Sequence, residues 1–189
     1  MHGSECVPAQ AFIVRSVPWA DPLAASVKEI RVRVFVQEQK VPIAEEFDRH
    51  DPSAYHILVF NAVGVPMGTG RLFADAQDAS LAHIGRMAVL PEGRGRGFGA
   101  AIMKELMAES VRRGFARIIL SAQQHAVGFY ARFGFHPAGE LYMDVDIPHI
   151  DMMKILEGAA GSNEHEQQGA GEKAADIEKQ GIDEKGKGD

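Results

Sequence analysis

Between Met87 and Ala100 the chain reads Met87-Ala88-Val89-Leu90-Pro91-Glu92-Gly93-Arg94-Gly95-Arg96-Gly97-Phe98-Gly99-Ala100, an apolar strand running into alternating glycines with a helical pattern directly after. The first turn of a helix leaves its backbone N–H groups unsatisfied and carries the positive end of the macrodipole. Glycine at positions 95, 97 and 99 lets an anion come close to such groups, and Arg94 and Arg96 add charge suited to phosphate oxygens. The competing reading is a turn whose glycines serve tight packing. Four alternating glycines with two arginines at a strand-to-helix junction favour a phosphate-bearing ligand. Gly95-x-Gly97-x-x-Ala100 nominally fits a dinucleotide fingerprint, but that motif needs the first strand-to-helix turn and a carboxylate ending the next strand. Here three strands precede the one that enters the turn, and the next strand ends in Ser121-Ala122-Gln123. No GxxxxGK[ST] loop occurs, which excludes a Walker site.

The elements that must hold this turn follow from hydrophobic period. Ala11–Val17 is a short apolar run ended by Pro18 and reads as a strand. Asp21 suits a helix N-cap with Pro22 at the first helical position, and Leu23, Val27, Ile30, Val34 and Phe35 recur at helical spacing to about Gln39. Residues 42–52 form an acidic loop. Tyr55–Asn61, Val65–Ala74 and Leu81–Leu90 read as three strands joined by short turns, hence antiparallel. Phe98–Arg113 is a helix with a buried face along Phe98, Ile102 and Leu106. Ile118–Ala122 is a strand and Ala126–Phe133 a short helix. Two closing strands follow, Glu140–Ile147 and His149–Leu156. Such an order is mixed α/β, neither a pure doubly wound sheet nor a sandwich.

Composition bounds the rest. The 189 residues are 46% hydrophobic and carry a net charge of −6, which suits one packed domain and argues against coating nucleic acid. A single cysteine, Cys6, excludes a disulfide framework, and no CxxC or CxxH pattern offers a zinc site, so no metal is expected. There is no apolar run long enough for a bilayer and no signal-peptide pattern at the N-terminus, so the expectation is a soluble, cytoplasmic protein without membrane or nucleic-acid partners. The charge is uneven. Residues 157–189 hold nine acidic and four basic residues, seven glycines and no aromatic residue. That segment reads as an acidic, disordered tail, either solvated or used for docking. The expected division is therefore an N-terminal extension at 1–10, a folded domain at 11–156 and the tail at 157–189.

Two segments together resemble the GCN5-related N-acetyltransferase (GNAT) superfamily. Arg94-Gly95-Arg96-Gly97-Phe98-Gly99 fits its acyl-coenzyme A signature, [Q/R]-x-x-G-x-[G/A]. One strand downstream, Ala126-Val127-Gly128-Phe129-Tyr130-Ala131-Arg132-Phe133-Gly134-Phe135 is similar to its A-x-x-F-Y-x-x-x-G-F segment. Arg31-x-x-Val34-Phe35-Val36-x-Glu38-Gln39, Glu46-x-Asp48, Gly85-Arg86-Met87-Ala88-Val89 and Pro148-His149-Ile150 resemble the bacterial ElaA-like and YjcF-like branch.

The resemblance implies a mostly antiparallel sheet flanked by helices, with a splayed strand pair at the coenzyme site, and an acetyl-CoA-dependent N-acetyltransferase acting on a small amine by direct transfer. The edge of Met87, Ala88 and Val89 would bind the pantetheine arm, and the N–H groups of Arg94, Gly95, Arg96, Gly97, Phe98 and Gly99 the pyrophosphate. Tyr130 would sit near the sulfur and protonate the departing thiolate, with Gln123 and His125 beside the coenzyme arm. An amine acceptor must lose a proton, and Glu46 and His83 are the candidates to take it. His83 shares a strand face with Gly85, Met87 and Val89 by period-two counting. Arg31, Glu46, Asp48 and His149 are the candidates for holding the acceptor. Homodimers are common among the proteins it resembles. The rival functions are a catalytically quiet CoA-binding module and an acyl-homoserine-lactone synthase.

Overall fold

The computed structural model describes residues 12–157, and the expected N-terminal extension and all but the first residue of the expected tail lie outside them. Ile13–Val17 (β1), Tyr55–Phe60 (β2), Pro66–Ala74 (β3) and Leu81–Val89 (β4) form an antiparallel run. Arg117–Gln123 (β5) lies parallel to β4 and antiparallel to Ile147–Ile155 (β8), which also pairs with His136–Pro137 (β6) and Tyr142–Asp144 (β7). The result is a mixed, mostly antiparallel eight-stranded sheet in the order β1-β2-β3-β4-β5-β8-β6, with β7 beside β8.

Helices cover both faces because the inner strands are apolar on both. In β2, Ile57 and Val59 pack on one side with Phe98, Ile102, Met103 and Leu106 of Phe98–Arg112 (α3). Leu58 and Phe60 face the other side, against Val27 and Ile30 of Ala24–Arg31 (α1). Close approach of α3 depends on two glycines of β3. A Cβ on Gly70 would stand 2.7 Å from Ile102 Cγ2, and one on Gly68 2.9 Å from the Ala88 carbonyl.

Three local departures from the sequence pattern shape the site. The helix expected to run unbroken to Gln39 instead becomes a π-helix over Val32–Glu38, with the Gln39 N–H bonded to the Val34 carbonyl at 3.1 Å. The turn is widened, as in the π-bulges found near functional sites. Residues 42–52 are ordered by a single helical turn, Ile43–Glu46 (α2), and by ion pairs rather than left open. The strand expected over Glu140–Ile147 is shortened to β7, and its hairpin to β8 turns through Val145 and Asp146, both at positive φ (45° and 61°). That is the type I′ pattern, occupied at its first position by a β-branched residue that disfavours it.

Candidate active site

β4 carries one residue more than its partner. Arg71 pairs with Gly85 and Thr69 with Ala88, so three steps on β4 face two on β3. Arg86 sits in this bulge at φ 50°. A bulge sharpens the local twist and reverses which face the following residues present. Ala82 and Ile84 point into the α3 core before it, whereas Met87 and Val89 do so after it, with Ala88 on the α1 side. The period-two count that put His83 with Met87 and Val89 therefore fails. His83 lies on the opposite face, stacked on Phe73 and paired with Asp75 at 2.7 Å, and does not line the cleft.

The bulge coincides with the parting of β4 and β5. They pair only from Leu81 to His83 against Arg117 to Ile119, while β5 stays paired with β8 as far as Gln123. Beyond His83 the two strands diverge, as expected, around a cleft of about 670 Å³. Its walls include Met87, Ala88 and Val89 on one side and Leu120 and Gln123 on the other, with Tyr130 of Val127–Ala131 (α4). The π-helical turn contributes Val34, Phe35 and Glu38, and the Gln39 that follows it bonds Gln123 across the cleft at 2.9 Å.

At one end the cleft meets the glycine turn. Gly95 and Gly97 have φ values of 72° and 88°, and no side chain caps the N-terminus of α3. A Cβ on Gly95 would touch nothing within 4 Å, so this surface is open to a ligand. The other positions are divided between packing and binding. Gly99 lies under the Phe129 ring, at 3.5 Å from an added Cβ, and Phe98 is fully buried against Phe12, so each can offer a ligand only its backbone. Arg94 is exposed but tied to its neighbours: its Nη atoms hold both Glu38 oxygens at 2.7 and 2.6 Å, and its Nε donates to the Val89 carbonyl at 3.1 Å. Arg96 lies over the Phe98 ring at 5.9 Å.

Tyr130 is held by aromatic contacts, its ring 5.1 Å from Phe129 and 6.4 Å from Phe135. Burial pushes its phenol up to about 12, so it is a proton holder at every physiological pH. His149, opposite Gln123 in the β5–β8 register, lines the cleft and is 9% exposed. Its Nδ1 lies 2.8 Å from the Ile147 carbonyl, which can only accept, so Nδ1 carries the proton and the neutral ring has its lone pair on Nε2.

The remaining expected residues lie elsewhere. Arg31, Glu46 and Asp48 do not line the cleft; they belong to a buried ion-pair cluster behind it. Arg31 Nε holds Glu46 at 2.6 Å and its Nη1 holds Asp51 at 2.6 Å. Arg71 holds Asp51 at 2.6 Å and Asp48 at 2.5 Å. Burial pushes the Glu46 carboxyl above its ordinary range against the pull of Arg31 and Arg86. Burial acts the same way on Asp48, but hydrogen bonds from Arg71 and the His50 N–H override it and hold that carboxyl well below its usual range. A carboxylate committed to arginines in this way is not available as a proton acceptor. Glu46 and Asp48 share a loop that looks solvated, and only arginines distant in sequence reveal otherwise. Conversely, Arg86, Glu38, Gln39 and Asp144 line the cleft without having been singled out as site residues.

A family model for the acetyltransferase (GNAT) domain matches residues 23–156. The chain belongs to the GNAT acetyltransferase family. This GNAT domain is 36% identical over 126 residues to the uncharacterized N-acetyltransferase YjcF of Bacillus subtilis, a match covering 66% of this chain and 87% of that protein. Among solved structures, ElaA of Escherichia coli superposes with a TM-score of 0.69 at 25% identity, over 76% of this chain and 99% of that one. An acyl-CoA N-acyltransferase from Pseudomonas aeruginosa gives 0.66 at 28% identity, over 77% and 99%. These similarities place it in the ElaA-like and YjcF-like branch of GNAT acyltransferases. No helix among the described residues is long and apolar enough to cross a membrane.

Proposed function

We propose that this GNAT acyltransferase moves an acetyl group from acetyl-CoA to the amino group of a small molecule by direct transfer. The observation that carries the reading is the gap between β4 and β5, opened at His83, kinked at Arg86 and leading to the uncapped N-terminus of α3. A gap of this kind suits an extended arm ending in a pyrophosphate. The unpaired edge of β4 at Met87 to Val89 can hydrogen-bond amides of the arm, and the N–H groups around Gly95, Gly97 and Gly99 can take the phosphate oxygens. An acyl thioester supplies an activated carbonyl; the C–N bond forms as the C–S bond breaks, the amine loses a proton and the sulfur gains one.

The chain's own groups assist at both reacting ends. Nε2 of His149 makes no hydrogen bond among the described residues and is the acceptor for the amine proton, in place of Glu46 and His83. The Tyr130 hydroxyl is the donor toward the sulfur. Positioning of amine and thioester in the cleft supplies the rest of the acceleration. Incubating the purified chain with acetyl-CoA and a panel of primary amines, with mass spectrometry of the products, tests the proposal. N-acetylated product formed at a rate that saturates in both reactants is expected. Acetyl-CoA binding with no acetylated product from any amine contradicts it and favours the catalytically quiet module.

A further inference from the structure

The acceptor side of the cleft carries a cation that the transfer chemistry does not use. Arg86 lines the cleft at the bulge, and its guanidinium is anchored mainly by neutral backbone: Nε donates to the Glu46 carbonyl and Nη2 to the Glu45 carbonyl, each at 3.0 Å. Its carboxylate neighbours are more distant than those of the other two arginines, with Glu46 at 3.3 Å and Asp48 at 3.6 Å. Glu46 is already engaged by Arg31 at 2.6 Å and Asp48 by Arg71 at 2.5 Å. The Nη1 of Arg86 makes no hydrogen bond among the described residues. By contrast, the other arginine of the cleft, Arg94, is fully occupied by Glu38 and the Val89 carbonyl.

A second donor lies alongside. Arg71 is 4% exposed, and its Nε is buried without a hydrogen-bond partner. The nearest atom to a Cβ built on Gly85 is this Nε, at 4.0 Å, and nothing else approaches within that distance. Gly85 and Arg86 both line the cleft, so the missing side chain leaves a pit at the bulge with the free edge of Arg86 at its side, and the unpartnered Arg71 N–H lies buried behind it. Burying a donor without an acceptor is costly, and holding a non-glycine residue at φ 50° adds strain. An anionic oxygen entering the pit meets Arg86 at once and offsets the first of these costs where it gives the Arg71 N–H an acceptor.

We propose that this pit is the anchor for a carboxylate on the acceptor, so that the amine acetylated is an amino acid or a similar amino carboxylate. The proposal rests on the acetyl-transfer reading above and adds the acceptor's second functional group. A carboxylate is flat and small enough for a position left open by one absent side chain, and arginine matches its two oxygens.

The test compares amino acids with their carboxamides as acceptors for the full chain, by CoA thiol release from acetyl-CoA. The expected result is a kcat/KM at least about tenfold higher for the carboxylates, carried mainly by KM, as loss of a charge-assisted hydrogen bond implies. In Arg86→Gln the ratio of carboxylate to carboxamide kcat/KM falls to about one. Gly85→Ala serves if that variant does not fold: the added methyl has room, yet fills the pit, and the same collapse of the ratio is expected. Equal or better turnover of carboxamides and simple amines by the unmodified chain overturns the anchor while leaving acetyl transfer intact. Failure to acetylate any amine overturns both.

Discussion

Replacing Tyr130 by phenylalanine removes one oxygen atom from the cleft and little else. The hydroxyl has no hydrogen-bond partner among the described residues, and the ring contacts to Phe129 and Phe135 survive the change. Stability should therefore stay within about 0.5 kcal/mol of the parent, since the change breaks neither packing nor a hydrogen bond. The catalytic effect follows from the phenol being pushed up to about 12 by burial. An ordinary thiol titrates near 8.5, about 3.5 units lower, and at about 1.4 kcal/mol per unit complete proton transfer to a thiolate costs roughly 5 kcal/mol. In the proposed reaction Tyr130 would therefore act chiefly by donating a hydrogen bond to the sulfur as charge develops. Hydrogen bonds to charged groups contribute about 1.5–3 kcal/mol, which corresponds to a fall in kcat of about tenfold to 150-fold. The assay is CoA thiol release at saturating acetyl-CoA and amine, paired with urea unfolding of both proteins. The phenol's high value also predicts no limb from Tyr130 in the kcat profile between about pH 6 and 10. A Tyr130→Phe enzyme with kcat within twofold of the parent refutes the role. A parallel loss of stability refutes the claim that the hydroxyl is unpartnered.

Three further predictions concern the frame that holds the cleft. Arg31→Met leaves buried Glu46 without its closest cation and Asp51 with Arg71 alone, and should cost about 3–5 kcal/mol in urea unfolding; a loss under 1 kcal/mol contradicts the buried cluster. Gly70→Ala drives a methyl to within 2.7 Å of Ile102 beneath α3 and should cost about 1–3 kcal/mol through overpacking, read from the same transition. Asp48 and Asp51 have depressed carboxyls in the folded chain, so their contribution is present above the unfolded aspartate value near 3.9 and lost as pH falls toward the lower folded values. Denaturation midpoints should drop as pH is lowered through about 4, with Glu46, shifted the opposite way, offsetting part of that loss; midpoints that rise through this window contradict the assignment.

The parts of the site that depend on local sequence were legible, and those that depend on tertiary convergence were not. The alternating glycines before Phe98 and the helical stripe after it state a turn and a helix N-terminus in one short segment, and the structure keeps both. Tyr130 and the β4 edge were found through segments as compact. The bulge left no comparable mark, since one extra residue at Arg86 is invisible until β3 supplies the register, and it moved His83 to the wrong face. The change to π-helix at Val32 likewise leaves no mark in the apolar spacing, which runs on at helical intervals to Val34 and Phe35. Glu46 and Asp48 read as candidates to take the amine proton and hold the acceptor because their partners, Arg31, Arg71 and Arg86, come from three other elements. Arg86 was in plain view between Gly85 and Met87, but its exposure to the cleft follows from the bulge alone.

The most direct test of the central claim is a crystal structure of the full chain with acetyl-CoA. Continuous density between β4 and β5, with the pyrophosphate against Gly95 to Gly99 and the thioester near Tyr130, is the predicted result. Coenzyme bound elsewhere on the surface, with the gap beyond His83 closed or empty, contradicts the account.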